Sequence, residues 1–226
     1  MNAHKNNSMS IQHHPSEALL IDYAAGAMGP AQSMVLATHL HACAECRAQI
    51  RAAEAVGGAL LEDIATTSMA ADALDRALAA IDRPEPEQPS PQPARAQVPQ
   101  PADWIAVPPE VAEAASRKRW VAPGVWVAPV DTGAKDGPLS YLLRVGKRMR
   151  MPQHTHAGSE LTVILKGAFV DGRVRFGPGD LAEVDDDVEH SPVILDDGEC
   201  VCLVACDNPL IVKDWLGRIV QSYAGI

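Results

Sequence analysis

The sequence predicts an α plus all-β protein of two domains: a small helical bundle, a proline-rich linker, and a β sandwich or small barrel of the jelly-roll class. Three observations predict it. Before the linker, Ala, Leu and Met recur at helical spacing with no β-branched runs. Nine of the chain's 18 prolines then fall between Pro84 and Pro109, mixed with Gln, Ala, Glu and Ser. Beyond them the pattern changes to short apolar runs separated by Gly, Pro and Asp turns. The corresponding boundaries are 1–83 for the bundle, 84–109 for the linker and 110–226 for the β domain.

Taken in order, the first helices are Ala18-Leu19-Leu20 to Ala25, Met34-Val35-Leu36 to Leu40, and Ile50 to Leu61. Pro15 suits a first-turn position and Pro30 starts the second helix, while Gly26, Gly29 and Gly57-Gly58 read as stop signals. A fourth amphipathic helix follows around Asp72 to Ile81. Proline fixes φ and removes amide donors, so the linker is PPII-like; it is expected to hold the two domains apart with loose relative orientation. The strand candidates are Val125-Trp126-Val127, Tyr141-Leu142-Leu143, Leu161-Thr162-Val163-Ile164-Leu165 and Cys200-Val201-Cys202-Leu203-Val204.

Composition excludes several classes. A net charge of −10 and a pI near 5.2 leave no basic surface for phosphates, which argues against direct nucleic-acid binding and favours a basic protein partner. Met1 to Ser10 are polar with no apolar segment behind them, and no run approaches the ~18 unbroken apolar residues of a membrane span. The five cysteines form no disulfide framework, and reduced thiols fit a cytoplasmic home. Cys200 and Cys202 share a strand face and are expected to be buried structural thiols.

Two sets of metal-ligand residues stand out. The first is His39-x3-Cys43-x2-Cys46, a mixture of imidazole and thiolate that selects zinc and closes it tetrahedrally. A straight helix over 39–46 would separate its ends by about 10.5 Å, near the limit for one shared ion, so a turn is expected around His41 to Cys43. The fourth ligand must come from elsewhere. His13 and His14 are the nearest candidates, and His14, immediately before the first helix, is preferred; His41 is an exposed bystander.

The second set is His154-x-His156-x3-Glu160, even-numbered and therefore on one strand face, with His190 arriving on a later strand after Gly177-Pro178-Gly179-Asp180. Imidazole with carboxylate suits zinc, iron, manganese or nickel. A structural site and a responsive site are the expected division of labour.

These residues carry a resemblance. His14, the 25-residue step to His39, then Cys43 and Cys46 in an acidic helical bundle resemble the zinc-binding anti-sigma domain, best the ChrR type. Tyr23-Ala24-Ala25-Gly26, Ala37-Thr38-His39-Leu40, Glu45-Cys46-Arg47-Ala48 and Ala55-Val56-Gly57-Gly58 strengthen the likeness. The three-His, one-carboxylate set and Glu160-x6-Gly167 resemble the cupin family; Asp185, Asp187 and Ile194 depart from its usual second motif. Those departures fit the ChrR-type cupin, and the two resemblances occur in the same order as in that family.

The resemblance implies a regulator that binds an extracytoplasmic-function sigma factor one-to-one through the zinc domain and blocks its engagement with RNA polymerase. It further implies a cupin barrel whose metal is zinc and which responds to singlet oxygen or the organic hydroperoxides it produces. No catalytic residue is then expected. Residues 1–82 hold four Lys or Arg against nine Asp or Glu, a net −5 suited to covering basic polymerase- or DNA-facing surfaces. The alternative is a metal-dependent cupin enzyme, a dioxygenase or isomerase, with the helical zinc module for docking.

Overall fold

Ser16 opens the first helix, its hydroxyl accepting the Leu19 amide to cap α1 (Glu17–Ala24). In a computed structural model the described residues are 11–82, 101–133, 139–155, 157–186, 188–196, 198–208 and 211–212. Pro30, pre-set for helical φ and lacking an amide donor, stands first in α2 (Pro30–Ala42). Cys43 then takes an extended conformation (φ −97°, ψ 105°), ending α2 and capping α3 (Ala44–Glu62) by accepting the Cys46 amide on its sulfur. The corner falls where ligand convergence requires it. Gly57 and Gly58 do not stop the helix, which runs on to Glu62 because its i→i−4 bonding outweighs the modest cost of two interior glycines. α4 (Ala73–Ile81) follows as the periodicity predicts.

The second half opens with a helix that the strand pattern did not predict, α5 (Pro109–Ala114), followed by a 3-10 turn at Ala115–Arg117. It forms because Val111, Ala112 and Ala114 are buried in the shared core, a tertiary gain invisible in so short a segment. Eleven strands follow among the described residues: β1 (Arg119–Ala122), β2 (Val125–Pro129), β3 (Leu139–Val145), β4 (His154–Thr155), β5 (Glu160–Lys166), β6 (Phe169–Asp171), β7 (Val174–Phe176), β8 (Leu181–Val184), β9 (Val193–Ile194), β10 (Cys200–Cys206) and β11 (Ile211–Val212). One six-stranded sheet has the order β1-β2-β3-β10-β5-β8; smaller sheets pair β11 with β4 and join β7-β6-β9. Residues of the large sheet, of β4 and of the β7-β6-β9 sheet line a common cavity, as in a cupin-like jelly roll.

The two faces of the large sheet do different work. On β10, Cys200, Cys202, Val204 and Cys206 belong to the cluster inside the barrel, whereas Val201, Leu203 and Ala205 belong to a second cluster outside it. The outer cluster also contains Val35, Leu36 and Leu40 of α2, Leu20 of α1 and Ile50 of α3. The helical bundle is therefore packed on the barrel, and the expectation of two domains held apart with loose orientation is corrected. β5 is buried from Glu160 to Leu165 and β10 along its whole length because both of their faces are covered.

The linker is also shorter than its composition suggests. Ile105 donates its amide to the Leu165 carbonyl at 2.9 Å, and Ile105 and Val107 are buried, so residues 101–108 are bound into the β domain. Lys166 anchors this end between Asp103 (2.5 Å) and Glu199 (2.9 Å), and Arg144 reaches the same Glu199 carboxylate at 2.6 Å. Gly167 of the Glu160-x6-Gly167 pattern sits at φ +73°, where a Cβ would lie 2.0 Å from the Glu199 carbonyl oxygen; only glycine fits.

Two outcomes follow from this packing. Leu36→Ala opens a cavity between helix and sheet and costs about 2–5 kcal/mol, read in denaturant as one transition shared by helix and barrel probes rather than two. The Lys166 hydrogen bond, and then Arg144, hold the Glu199 carboxyl below the ordinary glutamate value. Its contribution is thus present above that ordinary value and lost as pH falls through the depressed folded one. The Tm gap between the wild type and Glu199→Gln stays constant near neutrality and closes only in acid, below about pH 4.

Candidate metal centres

At the corner between α2 and α3 four donor side chains converge. His14 arrives from the segment before α1, His39 from the last turn of α2, Cys43 from the corner and Cys46 from the first turn of α3; their donor atoms all lie within 4.8 Å of one another. His14 Nδ1 is 3.4 Å from the Cys43 sulfur and 3.3 Å from that of Cys46, and His39 Nε2 is 3.3 Å from Cys46. Metal–sulfur and metal–nitrogen bonds of ordinary zinc length, meeting at a tetrahedral angle, put N and S roughly 3.6 Å apart. The cluster therefore has the dimensions of a metal site, and the preference for His14 over His13 matches the geometry. His41 is exposed and turned to its own helix, bonded to the Ala37 carbonyl.

The electrostatics suit a cation. Burial is the main cause lowering the His39 pKa, which keeps the ring neutral and able to ligate. Burial, with the adjacent Cys43 thiol, pushes Cys46 up to about 12, so in the absence of a cation the sulfur keeps its proton. A bound divalent ion reverses that preference by favouring the thiolate. Outside the donor set, His39 Nδ1–H donates to the Gly179 carbonyl at 2.8 Å, and the Glu45 carboxylate lies 3.8 Å from His14 Nε2. His39 thus has a fixed orientation and a defined ligating nitrogen, Nε2, while His14 turns Nδ1 to the two sulfurs.

The second set lies at the cavity, whose volume is about 240 Å³. His154, Glu160 and His190 all line it, the two rings 4.4 Å apart between centroids. Residues 154 and 190 exchange both backbone hydrogen bonds at 3.2 Å, which holds the two histidines side by side. His154 Nδ1–H donates to the Pro152 carbonyl and His190 Nδ1 pairs with the Asp171 carboxylate, both at 2.7 Å, so Nε2 is the nitrogen each can offer a metal. Burial is again the first cause lowering the His154 pKa. Glu160 accepts from the Thr162 hydroxyl at 3.1 Å and from the Cys206 thiol at 3.3 Å. His156, the remaining expected ligand, lies outside the described residues.

Sequence reasoning found the ligand candidates and missed what orients them. Thr162 stands two residues from Glu160 on one strand face, a signal that was available; Asp171, Cys206 and Gly179 reach their partners only through the tertiary fold. Cys200 and Cys202 are buried, their sulfurs 3.6 Å apart, and both face the cavity. The Cys200 hydrogen bond and burial hold the Cys202 thiol well above its ordinary pKa, a protonated and therefore weakly nucleophilic state. Most of the remaining lining is apolar, including Leu143, Val145, Phe169, Phe176 and Ile194, with Tyr141 and Glu183 as polar exceptions.

A helical His2Cys2 metal module seated on a cupin barrel defines a class of two-part regulators, and comparison with known proteins specifies it. Residues 103–208 match the family described as the ChrR Cupin-like domain. The chain is 38% identical over 221 residues to the anti-sigma-E factor ChrR of Cereibacter sphaeroides, covering 95% of this chain and 99% of that one. It superimposes with a TM-score of 0.68 and 37% identity on the crystal structure of Rhodobacter sphaeroides SigE in complex with the anti-sigma ChrR, covering 88% of this chain and all of that one. This chain belongs to the ChrR family of anti-sigma factors. The family is one of regulators, which decides against the cupin-enzyme alternative. Among the described residues, no helix is long and apolar enough to cross a membrane.

Removing an ion from the first site leaves two buried thiols beside two imidazoles where a strongly bonded centre had been. Treatment with a high-affinity chelator is expected to lower Tm and to expose α1–α3 to protease, and Cys43→Ser/Cys46→Ser is expected to behave as the chelated wild type does.

Proposed function

We propose that this chain binds an extracytoplasmic-function sigma factor one-to-one and holds it from RNA polymerase, using a helical unit built around zinc at His14, His39, Cys43 and Cys46. The observation that carries this reading is an apolar surface with no packing partner among the described residues. α3 is anchored by Cys46 and Ile50 in its first half, whereas Val56, Leu60 and Leu61 in its second half are exposed, as is Ile64 beyond it. α4 presents Leu74, Leu78 and Ile81, spaced four and three apart, and buries none of its residues. Leu60, Leu61, Leu74 and Ile81 are 65–77% exposed, which in a soluble chain marks a surface made for another protein.

The acidic balance of the helical unit adds complementarity toward the basic, polymerase- and DNA-facing surfaces of a sigma factor. Zinc fits the mixed imidazole–thiolate donors, and its role there is to hold the α2–α3 corner from which the sigma-binding helices project. The functional division runs 1–83 for sigma binding, 84–109 for the connection and 110–226 for response, although residues 101–108 pack with the barrel. The chain acts in the cytoplasm, where its partner works.

The barrel is the responding unit. His154, His156, Glu160 and His190 hold a second ion, zinc in preference to iron, manganese or nickel, with the apolar cavity admitting a small organic molecule beside it. Singlet oxygen, or an organic hydroperoxide formed by it, is the signal that leads to release of the sigma factor.

The test is co-expression with the sigma factor encoded beside the chain, followed by affinity capture. The wild type is expected to retain its partner at one-to-one stoichiometry. Leu78→Asp, which places a charge on the exposed apolar face, is expected to weaken binding at least 30-fold, about 2 kcal/mol, while leaving Tm unchanged. His39→Ala is expected to abolish capture along with the metal. Capture unaffected by both changes, or absent from a folded, metal-loaded wild type, would overturn the reading.

A further inference from the structure

The zinc module and the barrel meet at one turn. Residues 177–180 connect β7 to β8, and the Asp180 side chain, almost fully buried, accepts the amides of Gln12 at 2.6 Å and His13 at 3.0 Å through Oδ1. Its Oδ2 accepts the Gly177 amide at 2.8 Å, which closes the turn. Leu181 donates its amide to the His13 carbonyl at 3.1 Å, and Ser16 is held by both carboxylate oxygens of Glu183. The segment that carries His14 is therefore clamped on both sides of that histidine by barrel residues. The same turn supplies the Gly179 carbonyl that receives His39 Nδ1–H.

From this arrangement we infer that the barrel is a working part of the zinc site: the 177–180 turn seats both histidine ligands, with Asp180 as the positioning residue, while the helices alone supply the two thiolates. The inference rests on the zinc reading of the first cluster. A ligating imidazole needs its second nitrogen bonded to hold the ring in one orientation and tautomer. For His39 that partner is a barrel carbonyl, and for His14 the backbone on either side is fixed by a barrel carboxylate.

Metal affinity and helix–barrel docking are then linked, and the linkage is reciprocal. It also gives the barrel a direct route to the sigma-binding unit. β8 places Ala182 and Val184 on the cavity and Glu183 on Ser16, one strand away from the ligands. Rearrangement of the cavity wall shifts β8 and so disturbs His14 and His39 without passing through the proline-rich segment.

Cobalt(II) loading of the full chain tests this, because a thiolate-to-cobalt charge-transfer band reports on the cysteine-containing site and is silent for the all-His/carboxylate one. Affinity is read by chelator competition. Asp180→Ala is expected to weaken the thiolate-bound metal about 10–100-fold, the range for loss of an outer partner of a metal ligand, and to shift the band. Asp180→Asn keeps an oxygen for the Gln12 and His13 amides but loses the acceptor for the Gly177 amide, and is expected to recover part of the affinity lost in Asp180→Ala. Gln32→Ala cuts a different helix–barrel hydrogen bond, from Gln32 Nε2 to Asp207 at 2.9 Å, and is expected to leave band and affinity unchanged. As a measurement needing no variant, amide exchange at Leu181 is expected to quicken at least tenfold when metal is removed from the wild type.

An unaltered band and affinity in Asp180→Ala, equal weakening in Asp180→Ala and Gln32→Ala, or Leu181 exchange indifferent to metal would each overturn the inference. A folded wild type with no thiolate band would instead overturn the zinc reading itself, and the inference with it.

Discussion

Burial of both faces of one sheet is the constraint on which the rest of this structure depends. β5 and β10 carry apolar side chains in both directions: Ile164, Cys202 and Val204 fill the barrel, while Val163, Leu165 and Leu203 would face water if nothing covered them. Several fully buried Val, Leu and Ile side chains at about 1.5–3 kcal/mol each are too many to leave exposed, so a helical layer is required on the outer face. α2 supplies it. Once α2 lies across these strands its last turn meets the 177–180 turn, and the positions of His39, of the corner and of both cysteines follow.

The two donor clusters obey the same physics in different surroundings. In each, burial lowers the pKa of one imidazole, His39 in one and His154 in the other, and Nδ1 is held by a fixed partner: the Gly179 carbonyl for His39, the Pro152 carbonyl for His154 and the Asp171 carboxylate for His190. They differ in access. At the His2Cys2 corner His39, Cys43 and Cys46 are buried between helix and sheet, whereas His154, Glu160 and His190 line a cavity of about 240 Å³. A closed site contributes folding energy, and an open one leaves room for a molecule to approach.

The helical half is divided in the same way between what is seated and what is offered. α1, α2 and the start of α3 surrender their apolar faces to the barrel core, while the end of α3 and the whole of α4 keep theirs exposed. The metal corner stands at the boundary between the two. A change in the barrel that disturbs the corner is thereby mechanically close to the surface that receives a partner, even though the linker composition suggests isolation.

The sequence alone determined the element types, the four helices of the first half, the β character of the second, and the ligand candidates, because these depend on local periodicity and on residue chemistry at short spacing. The turn at Cys43 was legible for the same reason: along a straight helix His39 and Cys46 would stand near the limit for sharing an ion. Only the tertiary structure decided that the halves share a core, that α5 forms from residues at the edge of the proline segment, and that Gly179, Asp171 and Cys206 orient ligands. Contacts such as His39 to Gly179 span 140 residues, and no local pattern encodes them. One trace was nonetheless present, in Val163-Ile164-Leu165 of β5 and the apolar run of β10: a strand exposed on one face alternates, and these stretches do not, because a second layer covers them.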